Sequence, residues 1–409
     1  VFWKASLITA LTSLLLVGCS SANDENQKVT LDFWTTTTEN ETAAVLEVVK
    51  KFEEKYPSVK IKVKEVEFAK AGNQFKTATL LNEAPDILRS DIGWTTELAD
   101  LGVLLPLDHK VSQEDKKDYF QSAFRYNEYQ GHIYGIPMVT DSPALLYNKR
   151  ILKEAGYDSP PKSMNELLTV AKKITNKNQY GIFISPDSYY ALPYVWAFGG
   201  GMISDNNEIQ IDNEGSINGI NFMMQLINQK VSQPYPTFDN WNEVMMNDFK
   251  AGKVAMIING PWATSDILSS EEFKDSGNLG VAPVPSGPGG QGSPVGGHNL
   301  VISKYTEAPD EAYQFIDFLN SKENQVYFAE NLGNLPTRQS AYEDEDLLNN
   351  EVFQGFKSQL EVATSRPIIP EGSLLFGDFT TNLSQILSKE ISVKEGLKNV
   401  SESWDYLIN

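Results

Sequence analysis

Residues 29–66 read VTLDFWTTTTENETAAVLEVVKKFEEKYPSVKIKVKEV. Apolar side chains alternate at Val29, Leu31 and Phe33, the two-residue period of a half-buried strand. Asn40 offers a helix cap. Val45, Val48, Val49, Phe52 and Tyr56 then recur at helical spacing, and Pro57 ends the run. Alternation resumes at Val59, Ile61 and Val63. A strand, a helix and a strand in close succession make a βαβ unit, with the two strands parallel because the helix returns the chain to its starting edge.

The same rhythm extends outward. A second helix near 70–83 leads to "APDIL", a third strand. "SMNELLTVAKKI" opens with a capping box, Ser163 and Glu166, and buries Leu167, Leu168, Ala171 and Ile174. "NDFKAGKVAMII" closes a helix at Gly252 and starts another strand. "APDEAYQFIDFL" turns Ala312, Phe315, Ile316 and Leu319 inward as an amphipathic helix. The class is α/β with largely parallel sheets, and 409 residues are enough for a large two-lobed molecule. "VAPVPSGPGGQGSPVGGHN" (281–299) breaks the rhythm and reads as a loop crossing between lobes.

The amino terminus stands apart from the fold. "VFWKASLITALTSLLLVGCSS" has a charged head at Lys4, an apolar run from Ala5 to Val17 and then small residues, the pattern of a secretory signal too short to span a bilayer comfortably. Cys19 is the chain's single cysteine, so it has no disulfide partner. "LVGC" resembles the bacterial lipobox, which implies cleavage after residue 18 and lipidation of Cys19. The polar residues 19–28 then form a tether.

Composition excludes several function classes. Lys and Arg number 34 against 54 Asp and Glu, a net charge of −20, which disfavours nucleic acid and other polyanions. The three His, at 109, 132 and 298, are scattered and form no zinc-binding pattern. No G-x-S-x-G elbow and no phosphate-binding P-loop occur. Gly287, Gly289 and Gly292 have dinucleotide-motif spacing, but Pro288 and Pro294 interrupt and a strand follows where a helix belongs. No metal and no cofactor is implied. Two carboxylates suffice for a glycosidase, so a secreted glycoside hydrolase stays open, as does a surface adhesin.

Aromatic residues beside acids stand out: Trp262 in "INGPWA", Tyr189 and Tyr190 after Asp187, Trp94 after Asp91, and Phe376 in "IIPEGSLLFGDF". Aromatic faces suit the C–H face of a sugar ring, and ionised carboxylates accept from its hydroxyls. Core packing is the alternative for each ring alone. Trp262 follows the carboxyl end of a strand, where open α/β sheets bind ligands.

The lipobox start, the two-lobe α/β pattern, "ALLYNKRIL", "FKAGKVAMIINGPWA" and "IIPEGSLLF" together resemble the extracellular solute-binding proteins of sugar ABC importers, in their maltose/maltodextrin branch. The resemblance runs over nearly all of the mature chain. It implies a periplasmic-binding-protein-like fold of two α/β lobes joined by hinge segments, with an oligosaccharide in the cleft between them. The lobes are placed at 29–138 with 286–322 and at 139–285 with 323–409. Carried over residue by residue, the stacking Trp after Asn-Gly-Pro falls on Trp262. The acid before Tyr-Asn-Lys falls on Asp141, a shorter acid than the usual Glu. The Glu-x-Tyr pair falls on Asp187 and Tyr189, and the last aromatic on Phe376, where the branch has Trp. In the first lobe, Ser90, Gly93 and Trp94 stand where the family has Trp, Asp and Arg. Trp94 replaces the aromatic wall, while the polar pair is missing. Glu39 stands where the family has a Lys. The resemblance further implies a binding protein rather than an enzyme, a monomer that delivers maltose or maltodextrin to a membrane permease, and a lipid-anchored location outside the cytoplasmic membrane.

Overall fold

In the computed structural model, which describes residues 28–204, 207–234 and 240–409, the opening segment is a βαβ unit. The apolar leader, Cys19 and the tether short of Lys28 lie outside the described residues. The strands in chain order are β1 (Val29–Thr35), β2 (Val59–Glu65), β3 (Ile87–Asp91), β4 (Glu128–Tyr129), β5 (His132–Ile133), β6 (Gly135–Asp141), β7 (Ala144–Asn148), β8 (Tyr180–Ile182), β9 (Val254–Asn259), β10 (Leu279–Ala282), β11 (Gly296–Ile302) and β12 (Leu335–Pro336). The first three helices are α1 (Glu39–Lys55), α2 (Phe68–Leu80) and α3 (Ile92–Asp100).

β1 and β2 pair in parallel from Val29↔Val59 to Thr35↔Glu65. Leu31 and Phe33 are fully buried, and α1 lays Val45, Val48, Val49 and Phe52 over them. Burial of each such side chain contributes roughly 1.5–3 kcal/mol. The cap of α1 is Thr38 rather than Asn40. The Thr38 hydroxyl accepts the Glu41 N–H, and the Glu41 carboxylate accepts the Thr38 N–H at 2.9 Å. This reciprocal pair satisfies two free backbone donors where a lone Asn satisfies one, so the helix starts earlier.

Two sheets organise the molecule. One has the order β12-β6-β11-β3-β1-β2 and the other β10-β7-β9-β8. They are mixed, not largely parallel. Among the described residues only β1–β2, β1–β3 and β8–β9 pair in parallel, while β11 runs antiparallel between β3 and β6. A returning strand from late in the chain has no local signature of direction, because pairing with β6 is set by contacts such as Leu300↔Ile136.

The helix Met164–Ile174 is capped by Ser163, but the Glu166 carboxylate reaches back to the Lys162 N–H and not to that of Ser163. Val170 is fully inside and Leu168 only half-buried. The Gly/Pro-rich stretch is shorter as a loop than its composition suggests, since β10 extends to Ala282 and β11 begins at Gly296. It does carry the chain from the second sheet to the first. Two other passages run beside it. Ser293 donates to the Pro143 carbonyl at 2.6 Å, and Val295 N–H donates to the Thr364 carbonyl at 2.9 Å. The first passage leaves the first sheet after Asp141, the end of β6. The last leaves it after β12, which pairs with β6. The breaks expected at 138/139 and 322/323 therefore fall within β6 and at the start of the helix Lys322–Leu332. Among the described residues no helix is long and apolar enough to cross a membrane.

Candidate functional site

The carboxyl ends of β1, β3, β6 and β9 and the amino ends of β7 and β11 converge at one edge, where the two sheets face each other. Asp141 is the last residue of β6 and is buried. Across from it lies Gly296, the first residue of β11. A Cβ at 296 would stand 2.1 Å from the Asp141 carboxylate and 2.4 Å from the Tyr189 hydroxyl. Only glycine lets the acid and the phenol meet over that backbone.

Tyr189 is held there by the amino-terminal turn of the helix Ser188–Ala197. Asp187 caps this helix, accepting the Tyr189 N–H at 2.8 Å. Asp187 therefore orients Tyr189, and burial raises its own pKa against that hydrogen bond. The Tyr189 ring lies 6.0 Å from Phe376 and 5.6 Å from Tyr190. Tyr190 in turn adjoins Trp241, at 5.2 Å, and the Trp262 side chain. Trp262 itself is 36% exposed, directly after the turn that ends β9.

Charges fill the space between the aromatic walls. The Arg366 guanidinium sits 5.8 Å from both the Tyr189 and Phe376 rings and pairs with Asp91 at 3.1 Å. Burial opposes its charge, and Asp91, Tyr189 and Asp141 more than offset that, leaving its pKa above the ordinary value. Arg89, only 2% exposed in β3, donates to Thr36 at 3.2 Å and pairs with Glu41 at 3.3 Å. Burial lowers its pKa, with Glu41 opposing. The Asp141 carboxylate accepts no hydrogen bond among the described residues. Burial pushes its pKa up to about 7, with Arg366 pulling the other way. His298 has both ring nitrogens buried without a partner, and burial holds its pKa well below 6.5, so it is neutral. The Nε of Arg89 and of Arg366 are likewise unpaired.

The structure thus gathers Asp141, Tyr189 and Phe376 around Arg366, with Trp262 joined through Tyr190. Trp94 is placed differently. Its ring packs on Gly72 of α2 and lies 5.1 Å from Phe68, and only Phe68 meets His298, at 6.0 Å. Glu39 is exposed as the first residue of α1, and the acid from that turn that enters the cluster is Glu41. At positions 93 and 94 the polar pair is missing, and the first-lobe charges that the structure brings to this place are those of Arg89 and Asp91. Arg89 carried a legible signal, a charge inside an apolar strand. Arg366 and His298 carried none, because their neighbours come from distant parts of the chain.

The array offers carboxylate acceptors, guanidinium donors and flat rings on facing walls, a combination suited to a neutral polyhydroxylated ligand. The described residues with metal-ligand spacing, Glu330, Asp344 and Asp346, lie elsewhere, without a buried ligand set.

Comparison with known proteins agrees. The model of the family "Bacterial extracellular solute-binding protein" matches residues 36–326. The GacH receptor of Streptomyces glaucescens, described unliganded and with acarbose, is similar in structure at 36% identity and a TM-score of 0.89, over 93% of this chain and 98% of that one. Maltose-bound MalE3 of T. maritima is similar at 25% identity and a TM-score of 0.86, over 93% and 100%. The maltotriose-binding protein of Pyrococcus abyssi is 27% identical over 81% of this chain and 72% of its own. Both similar structures have the two-lobed fold that the sheets here display.

Proposed function

This chain belongs to the bacterial extracellular solute-binding protein family, and on that premise we propose that it is the substrate-binding protein of an ABC importer for an oligosaccharide of the maltodextrin type. The observation that carries the reading is the meeting of Asp141 and Tyr189 over Gly296, between Phe376 and the Tyr190–Trp262 pair. A glucan offers hydroxyls to the acid and the two guanidinium groups, and C–H faces to the rings. The unpaired buried groups gain partners from such a ligand, which favours the closed arrangement of the lobes. Relatives named for maltotriose and maltodextrin support this choice. Trp262, Tyr189 and Phe376, with Asp187 orienting Tyr189, form the second-lobe side. Asp141 at the end of β6, Arg89, Asp91 and Phe68, with Trp94 behind, form the first-lobe side. We further assign Cys19 as a lipid-bearing residue and a membrane permease as the partner that accepts the sugar.

A second reading rests on Asp141 alone. A buried carboxylate without a hydrogen-bond partner also suits an ammonium, so an aminated pseudo-oligosaccharide such as acarbose fits the same place, and the GacH likeness supports it. Calorimetric titration with maltotriose and with acarbose, followed by product analysis, tests both. Saturable binding of maltotriose without turnover is expected. Cleavage of the sugar, or no heat with either ligand, overturns the assignment.

A further inference from the structure

At the end of the first sheet opposite the cleft, four large side chains point into solvent. Leu80 is 84% exposed, and Leu81, Leu101 and Tyr305 are each more than half exposed. They belong to one face. α2 and α3 lie side by side, with Gly72 against Trp94 and Lys76 paired with Glu97 at 2.5 Å. One turn further along each helix come Leu80 and Leu101. Tyr305 joins them because the Lys304 N–H donates to the Val103 carbonyl at 2.9 Å. Exposed apolar side chains gathered in this way mark a contact surface rather than chance exposure.

The same end is where the described residues begin. The turn after Leu81 enters β3 beside β1, the Asp86 N–H bonding the Asp32 carbonyl at 3.0 Å, three residues after Val29. Residues 19–28 span at most about 35 Å when fully extended, so an anchor at Cys19 keeps this face close to the bilayer surface. The exposed charges beside the patch, Glu83 and Asp100 with Lys304, sum to no positive charge that would draw it to an anionic headgroup layer. A tyrosine among leucines suits the boundary between headgroups and acyl chains.

We propose that Leu80, Leu81, Leu101 and Tyr305 form a membrane-standing foot, which seats on the apolar interface of a neutral bilayer and turns the sugar cleft away from it. The proposal rests on the assignment of Cys19 as the lipid-bearing residue. In this orientation the tethered receptor turns its cleft to the medium and leaves the bilayer only to meet its permease.

The single thiol makes the test direct. The mature chain from Cys19 onward is coupled through that thiol to a maleimide lipid in phosphatidylcholine vesicles, and in parallel to a soluble maleimide. Amide hydrogen exchange in 79–84, 100–104 and 303–306 is expected to slow several-fold on vesicles only, with 254–268 unchanged. The double variant Leu80→Ser, Leu81→Ser is expected to lose the slowing while keeping its melting temperature and sugar affinity. Equal exchange in the two coupled forms overturns the foot, as does slowing confined to another face. The anchor is read separately, from the mass of the chain extracted from the producing cells. A Cys19 without acyl chains overturns the anchor whatever the vesicles show.

Discussion

The indole of Trp262 lies against the Cα of Gly260. A Cβ at 260 would stand 2.0 Å from the ring, although the Gly260 backbone, at φ −100° and ψ 177°, is open to any residue. Glycine is needed here for close approach, not for a special turn. The ring therefore rests on the backbone with one side, while Trp262 as a whole stays 36% exposed. Gly260→Ala is expected to tilt the ring and weaken maltotriose binding about tenfold, or about 1.4 kcal/mol. Calorimetry checks this, and an unchanged affinity removes the stacking role.

Trp262→Ala is expected to weaken binding by roughly 10- to 100-fold, while lowering unfolding stability by less than about 1 kcal/mol, because the ring contributes to the complex more than to the core. Denaturant unfolding and titration of the same preparation separate the two effects. A large stability loss with affinity retained makes Trp262 a core residue.

Asp141→Asn is expected to stabilise the unliganded protein, with a pH signature. Burial raises the folded-state pKa to about 7, above the unfolded value of about 3.9. The folded state thus holds the extra proton between these values, and the wild type loses stability as pH rises through that window. The loss is on the order of 4 kcal/mol at most. The Asn variant's advantage is therefore expected to be larger at pH 8 than at pH 5, and its sugar affinity lower at both. A pH-independent stability difference between the two proteins contradicts this account.

Glu41 and Glu39 give a direct contrast. Glu41→Ala removes the reciprocal cap and leaves the Arg89 charge buried with only Thr36 as a side-chain partner. A loss of about 3 kcal/mol is expected. Glu39→Ala, at an exposed position, is expected to stay within about 0.5 kcal/mol. Equal effects in chemical denaturation undo the assignment of Glu41 to the cluster.

Arg366 pairs with Asp91 and also faces the Tyr189 and Phe376 rings, and both charged side chains are largely buried. A double-mutant cycle with Arg366→Met and Asp91→Asn is expected to give a coupling of about 1–3 kcal/mol in sugar binding. Additive effects make the pair incidental to the ligand.

Much of the fold was legible. Val29, Leu31 and Phe33, or Ala312, Phe315 and Ile316, declare their elements because a strand or helix buries one face of its own period. Trp262 was legible because its turn follows a strand end. Cap positions shifted, as with Thr38 for Asn40, where two local hydrogen bonds outbid one. Trp94 was misleading: its register on α3 sets it against Gly72, and packing between helices took the ring that the pattern offered to the cleft.

The sequence by itself determined the elements, their βαβ order and the aromatic turn at 259–262, because these depend on residues within a few positions of each other. The tertiary structure alone decided the direction of β11, the meeting of Asp141 with Tyr189 over Gly296, and the pairing of Arg366 with Asp91, 275 residues apart. Burial and charge depend on what encloses a group in space, and local periodicity holds no record of partners brought from the far end of the chain.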